Sequence, residues 1–163
     1  MNRRRFLQAA VAGAAWPACA ARAQARAAMQ PFDAAAFAAL HTRFAGRAFV
    51  LAFWSVHCAP CLDDMATWRT LQARFPGVPI VLVATDPPAE DAAVRRALQR
   101  FSPGKVELWA FADDFAERTR YAVDRKWRGE LPRTYFYDRA HAAEVISGRV
   151  EPATAAAWCE RMR

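Results

Sequence analysis

A chain of 163 residues is long enough for one domain with its own hydrophobic core and too short for two ordinary ones. Hydrophobic residues make up 55% of it, but many are alanine, so the 11 Phe and 6 Trp must supply much of the buried area. The formal charge of +7 invites a nucleic-acid reading, yet Arg3, Arg4, Arg5 and Arg22 all stand in the first 25 residues, which hold no acid. The remainder has 19 basic and 16 acidic residues and no basic stripe with interleaved aromatics, which excludes a nucleic-acid binder.

Residues 1–25 read as an export signal. Asn2-Arg3-Arg4-Arg5 is a short positive segment, Ala9 to about Ala20 is a weakly apolar run, and Ala23-Gln24-Ala25 offers small residues for cleavage. The paired arginines followed by x-Phe-Leu resemble a twin-arginine signal, and the low hydrophobicity of the run suits that route better than general secretion. The run is too short and too polar, with Pro17 inside it, to be a membrane span. Cys19 follows Trp16-Pro17-Ala18, a poor lipoprotein site, and is expected to leave with the signal. The expected mature protein starts near Arg26, carries one domain over residues 30–163, and is soluble in the periplasm.

In chain order, Pro31 to Phe44 has apolar residues near helical spacing, with Asp33 placed as an N-cap. Arg47 to Ser55 reads as a buried strand, since Ala48 to Trp54 is uninterruptedly apolar. A helix is predicted from about Cys58 to Phe75, stopped by Pro76-Gly77, and a second buried strand from Val78 to Thr85. Glu90 to Phe101 reads as a helix with Val94, Ala97, Leu98 and Phe101 on one face. Val106 to Phe111 is extended, Asp113 to Tyr121 is a helical turn or two, and Lys126 to Glu130 is loop. Thr134–Asp138 and Glu144–Ser147 alternate as a hairpin does, and Pro152 to Met162 closes as a helix with proline at a permitted N-terminal position. This order implies an α/β fold, a central mixed sheet with helices on both faces.

Cys58-Ala59-Pro60-Cys61 falls where a buried strand meets a helix. There the unpaired N–H groups and the helix dipole favour a thiolate at Cys58, and only a thiolate attacks a disulfide. Cys61, one turn later, is within reach of the resulting mixed disulfide. Two other readings compete: half of a zinc site, for which Cys159 and the scattered His41, His57 and His141 make poor partners, and an inert structural disulfide, which would close too small a loop to stabilise much. No metal and no cofactor are expected.

Phe53-Trp54-Ser55-Val56-His57-Cys58-Ala59-Pro60-Cys61 resembles the Phe-Trp-Ala-x-Trp-Cys-x-Pro-Cys signature of thioredoxins, and more closely the exported TlpA/ResA-like branch. Seventy-one residues after Cys61, Pro132 stands in Gly129-Glu130-Leu131-Pro132-Arg133-Thr134-Tyr135-Phe136-Tyr137-Asp138, which is similar to the family's Gly-x-Pro-x-Thr-Phe-x-Ile-Asp run. The resemblance implies the thioredoxin fold and a cis Pro132 facing the cysteines. It also implies that the backbone of Leu131 is exposed for a substrate peptide to pair along it; an ordinary turn proline is the plainer alternative. Trp54, so near Cys58, is expected in the core or bordering the substrate groove.

Three departures from the family pattern matter. His57 replaces the tryptophan before the first cysteine; it modulates Cys58 if protonated, or is simply an exposed polar neighbour. Ala52 stands where thioredoxins carry a buried aspartate, whereas the TlpA/ResA-like branch has an acid three residues after the second cysteine, here Asp64. At 100° per residue Asp64 lies about 60° around the helix from Cys61, placed to take its proton, or else is a solvated first-turn acid. Ala66 replaces the branch's proline, leaving that helix unkinked. Cys159 is expected to pack as a small apolar residue, and His41 and His141 to lie at the surface.

The expected protein is a monomeric envelope thiol–disulfide oxidoreductase, with Cys58 attacking, Cys61 resolving and Asp64 assisting. The resemblance implies cysteine-containing exported proteins as substrates and a membrane-embedded thiol carrier as electron donor. Ala-Pro between the cysteines, without the histidine found there in strong oxidants, favours reduction over disulfide formation. The other readings are a copper-handling module of the same fold, using Cys58, Cys61 and a histidine, and a peroxidase. The first usually has wider cysteine spacing and a histidine near the proline; the second lacks a peroxide-activating set around Cys58.

Overall fold

A computed structural model describes residues 29–163; the export signal expected over residues 1–25, with Cys19, lies outside them. In chain order the elements are β1 (Gln30–Phe32), α1 (Ala34–Arg43), β2 (Phe49–Trp54), α2 (Ala59–Arg74), β3 (Ile80–Ala84), α3 (Asp91–Phe101), β4 (Glu107–Phe111), α4 (Ala116–Val123), β5 (Arg133–Tyr137), β6 (Ala143–Ser147) and α5 (Pro152–Met162). The strands form one sheet in the order β1-β4-β3-β2-β5-β6. The first four of that order run parallel, and β5 and β6 are antiparallel to their neighbours.

The central strand β2 is buried at every position, as its unbroken apolar run demands. Because side chains alternate along a strand, β2 feeds two cores. Val50, Ala52 and Trp54 pack with Met65, Trp68 and Leu71 of α2, Val94 of α3 and Trp158 of α5. Phe49, Leu51 and Phe53 pack on the other side with Leu40 of α1 and the rings of Trp127, Tyr135 and Tyr137. Helices therefore cover both faces of a mixed sheet, as the element order implied. Phe53, 1% exposed and 4.5 Å from the Trp127 ring centroid, shows what holds the second core; truncating such a ring to alanine costs about 3–5 kcal/mol. Trp54, Trp68, Trp109, Trp127, Trp158 and Cys159 are all buried, and burial pushes the Cys159 thiol up to about 11.

Three expectations need correction. Pro31 and Phe32 do not belong to the first helix: they lie in β1 and pair in parallel with Ala110 and Phe111 of β4. The helix begins only at Ala34, where the Asp33 carboxylate accepts the Ala36 N–H at 2.7 Å. The helix expected from Asp113 starts at Ala116 and runs to Val123, because Asp113 spends its carboxylate on the Phe115 N–H (2.8 Å) and closes a turn instead. His41 and His141 are not free surface residues. Their Nδ1 atoms approach to 2.9 Å, joining α1 to the β5–β6 turn, and the His41 ring stands edge-on to Phe37 and Tyr137. Burial, and then the nearby His141, hold the His41 pKa below its usual 6.5.

Candidate active site

The buried run of β2 ends at Trp54, and the chain turns through Ser55, Val56 and His57 into α2, for which Cys58 is the N-cap. Its sulfur takes the Cys61 N–H at 3.3 Å, while its carbonyl accepts from Cys61 (3.0 Å) and Leu62 (3.2 Å). Pro60 fits the first turn because the donor it lacks has no partner there. Cys58 and Cys61 are joined as a disulfide with Cα atoms 5.2 Å apart. Their environments differ: Cys58 is half-buried, whereas Cys61 is 1% exposed and packs with Met65 and Trp68. Only Cys58 is open to a bulky partner, so a sulfur arriving from outside meets it and not Cys61.

The distant proline motif reaches the same end of the sheet. Arg133, the first residue of β5, lies opposite Phe53 of β2, so Leu131 and Pro132 come alongside Trp54 and the turn that carries Cys58. The Leu131–Pro132 bond is cis, as the family pattern implies. Leu131 is half-buried against the core that contains Cys61, and the Pro132 carbonyl accepts the Gly148 N–H at 2.8 Å. Arg133 anchors this loop, with its guanidinium 2.7 Å from Asp124, 2.9 Å from Glu130 and 3.1 Å from the Tyr135 hydroxyl. Gly129, at φ +104°, makes the bend that leads into it, a conformation costly for a residue with a Cβ. Trp54 is only 3% exposed and lies in the buried core that contains Cys61 and against which Cys58 packs.

Asp64 is buried, 1% exposed, on the α2 face that carries Cys61, so the picture of a solvated first-turn acid does not hold. The Val150 N–H donates to Oδ2 at 3.2 Å, and Arg149 Nε stands 3.6 Å from Oδ1. Burial raises the Asp64 pKa above its ordinary 3.8, outweighing both of those contacts. A carboxylate so placed is ready to take a proton. Asp63, next to it, is exposed at 63% of its side chain and points to solvent.

His57 is 71% exposed, with Nε2 at 2.6 Å from Glu90. That hydrogen bond, and then the Glu90 charge, hold the imidazole pKa above 6.5, which favours the cation beside Cys58. Asp86, which sequence reasoning passed over, is 4% exposed and accepts from the Ser55 hydroxyl (2.6 Å) and the Val56 N–H (3.2 Å). Ser55, Glu90, Arg149 and Arg133 were missed as well. One signal was available for Asp86: it is the first acid beyond the buried β3 run, and parallel neighbouring strands bring their carboxyl ends to one edge of the sheet. Among the described residues, His57, Asp86 and Glu90 are the one set with three metal-capable atoms within 4.8 Å of one another, and the hydrogen bonds above engage all three side chains.

No protein-family model matches the sequence, and no curated protein does. Several solved structures are similar. A secreted disulfide oxidoreductase of Mycobacterium tuberculosis, homologous to E. coli DsbE, superposes with a TM-score of 0.59 at 16% identity, covering 74% of this chain and 85% of that one. DsbF of M. tuberculosis, in mixed oxidised and reduced forms, gives 0.61 at 20% identity over 74% and 84%. A thiol:disulfide interchange protein of the thioredoxin family from Chlorobium tepidum gives 0.61 at 17% identity over 75% and 83%. Such likeness establishes the architecture: this chain has the thioredoxin fold, with a Cys-x-x-Cys pair at the head of α2.

Proposed function

We propose that this chain is an exported thiol–disulfide oxidoreductase that reduces disulfides in other exported proteins. The observation that supports it best is the asymmetric pair of sulfurs at the N-terminus of α2, one accessible and one covered, with Leu131 and Pro132 at the same end of the sheet. In the reduced protein, the Cys58 thiolate attacks one sulfur of a partner disulfide and expels the other as a thiolate. The Cys61 thiol then gives its proton to Asp64 and attacks Cys58 Sγ, which releases the second partner sulfur. The partner gains two electrons, and the enzyme is left with the Cys58–Cys61 disulfide.

Leu131 offers backbone to an extended partner strand, Pro132 positions it, and Trp54 supports the groove from below. His57, kept cationic by Glu90, favours the Cys58 thiolate. Reduction is favoured over oxidation because the loop between the cysteines is Ala-Pro, with no histidine inside it. The features of residues 1–25 support delivery to the periplasm, and among residues 29–163 no helix is long and apolar enough to cross a membrane. A monomer, recharged by a membrane-embedded thiol carrier, completes the reading.

Insulin reduction with a chemical reductant tests the chemistry. Cys58→Ser is expected to abolish turnover, and Cys61→Ser to accumulate partner proteins disulfide-linked to Cys58; turnover in the Cys58→Ser protein would remove the assigned nucleophile. The equilibrium of the Cys58–Cys61 couple with glutathione decides direction. A couple that is oxidised in a glutathione buffer where an oxidant such as DsbA is reduced supports the reductant reading; one that stays reduced there, and so oxidises glutathione, overturns it.

A further inference from the structure

The turn that delivers Cys58 to the head of α2 hangs from one buried carboxylate on the neighbouring strand's exit. Asp86 Oδ1 accepts the Ser55 hydroxyl at 2.6 Å, and its two oxygens share the Val56 N–H at 3.2 Å each. Ser55 Oγ in turn accepts the His57 N–H at 3.1 Å, and the Ser55 carbonyl accepts the Cys58 N–H at 3.1 Å. Every main-chain N–H from Val56 to Cys58 is thus tied either to Asp86 or to the serine that Asp86 orients. A second tie joins the same strand ends: the Thr85 N–H donates to the Trp54 carbonyl at 2.9 Å.

A carboxylate at 4% exposure is costly to desolvate. All of its hydrogen bonds go to the four-residue segment before α2, and charge-assisted bonds are the stronger kind. We infer that Asp86, acting through Ser55, is a positioning residue for Cys58: it holds the Ser55–Cys58 turn so that the sulfur sits at the N-cap of α2, where the helix terminus and the Cys61 N–H stabilise a thiolate. Asp86 touches neither sulfur. Its effect passes through the backbone, because the φ −104°, ψ 92° of Cys58 is the extended cap conformation that aims Sγ back at the Cys61 N–H.

This inference rests on Cys58 being the attacking thiol of the proposed function, and its test is chosen to be independent of turnover. The reduced full-length protein is alkylated with iodoacetamide from pH 4 to pH 10, and Cys58 modification is followed by peptide mass spectrometry. Wild type is compared with Ser55→Ala, Asp86→Ala and Asp86→Asn, with melting temperatures recorded alongside. His57, Glu90, Asp63, Asp64 and Arg149, the other ionisable groups around the turn, are retained in all four; the Asp86 variants also remove a charge that helps to raise the His57 pKa, whereas Ser55→Ala leaves every charge in place. Asp86→Ala and Ser55→Ala should move the Cys58 profile to higher pH and slow alkylation at pH 7 about five-fold, the worth of one lost hydrogen bond. Asp86→Asn keeps one acceptor oxygen and should lie between.

A profile unmoved in Asp86→Ala and Ser55→Ala, whatever the melting temperature, overturns the inference. So does a shift to lower pH, which would mean that the Asp86 charge, and not the position it enforces, governs Cys58. Should Asp86→Ala fail to fold, Ser55→Ala, which removes a single hydroxyl, decides by the same criterion. Inert wild type in insulin reduction would defeat the proposed function while leaving the alkylation comparison readable.

Discussion

Asp64→Asn separates what this buried acid does for chemistry from what it does for stability. Its folded pKa lies above 3.8, so the stability linked to its proton is present below that pH and is lost as pH rises through the raised value. The ionised side chain therefore weakens the fold. Asparagine keeps an oxygen for the Val150 N–H, bonded at 3.2 Å, and gives up the 3.6 Å approach of Arg149, whose side chain is 59% exposed. So exposed a cation contributes only about 0–1 kcal/mol. Alanine strands the Val150 N–H in the core, at about 1–3 kcal/mol. The expected order of stability at pH 7 is Asp64→Asn equal to or above wild type, with Asp64→Ala below both.

The rate should run the other way. Both variants lack a base for the Cys61 proton, so decay of a mixed disulfide at Cys58 should slow about 100-fold at pH 7, the lower end of general-base effects, and converge with wild type at alkaline pH, where Cys61 ionises unaided. The assay charges Cys58 with glutathione, quenches with acid at intervals and reads the adduct by mass spectrometry; urea unfolding supplies the stabilities. Wild-type decay in Asp64→Asn would refute the proton-acceptor role. Slow decay in Asp64→Ala alone would assign Asp64 to holding Val150 and nothing more.

Two other expectations concern histidine and arginine. His41 has a folded pKa below 6.5, so the stability it supports is present above that value and is lost as pH falls and the unfolded chain takes up a proton; His57, with a folded pKa above 6.5, contributes stability that is present below 6.5 and fades as pH rises through its folded value. Melting temperatures between pH 8 and pH 5 should therefore fall more steeply on acidification in His57→Ala than in wild type, and less steeply in His41→Phe; a slope unchanged in His41→Phe would deny its part. Arg133→Met leaves Asp124 and Glu130 without their cation at 2.7 and 2.9 Å, and should lower unfolding stability by about 2–3 kcal/mol, somewhat under the 3–5 kcal/mol of a fully buried pair. A loss below 0.5 kcal/mol in urea unfolding would show that the loop holds without it.

The paired sulfurs and their place between strand and helix could be read from the chain alone, because each is a local pattern, an unbroken apolar run and two cysteines one helical turn apart; the Leu-Pro step before an alternating strand was legible through its resemblance to the family's run. Packing decided the rest. Asp64 is indistinguishable from Asp63 in composition, and what buries one and leaves the other in water is a segment 86 residues away that brings the Val150 N–H to it. Phe32 fits a helical face as well as a strand until β4 supplies the parallel partner that a three-residue strand cannot advertise. His41 and His141 meet only because α1 docks against the β5–β6 turn. Periodicity records which side of an element faces inward, whereas the partner it finds there depends on how distant segments of the chain come together, and that is why the brace of Asp86 on Ser55 belongs to the folded structure and not to the string of residues.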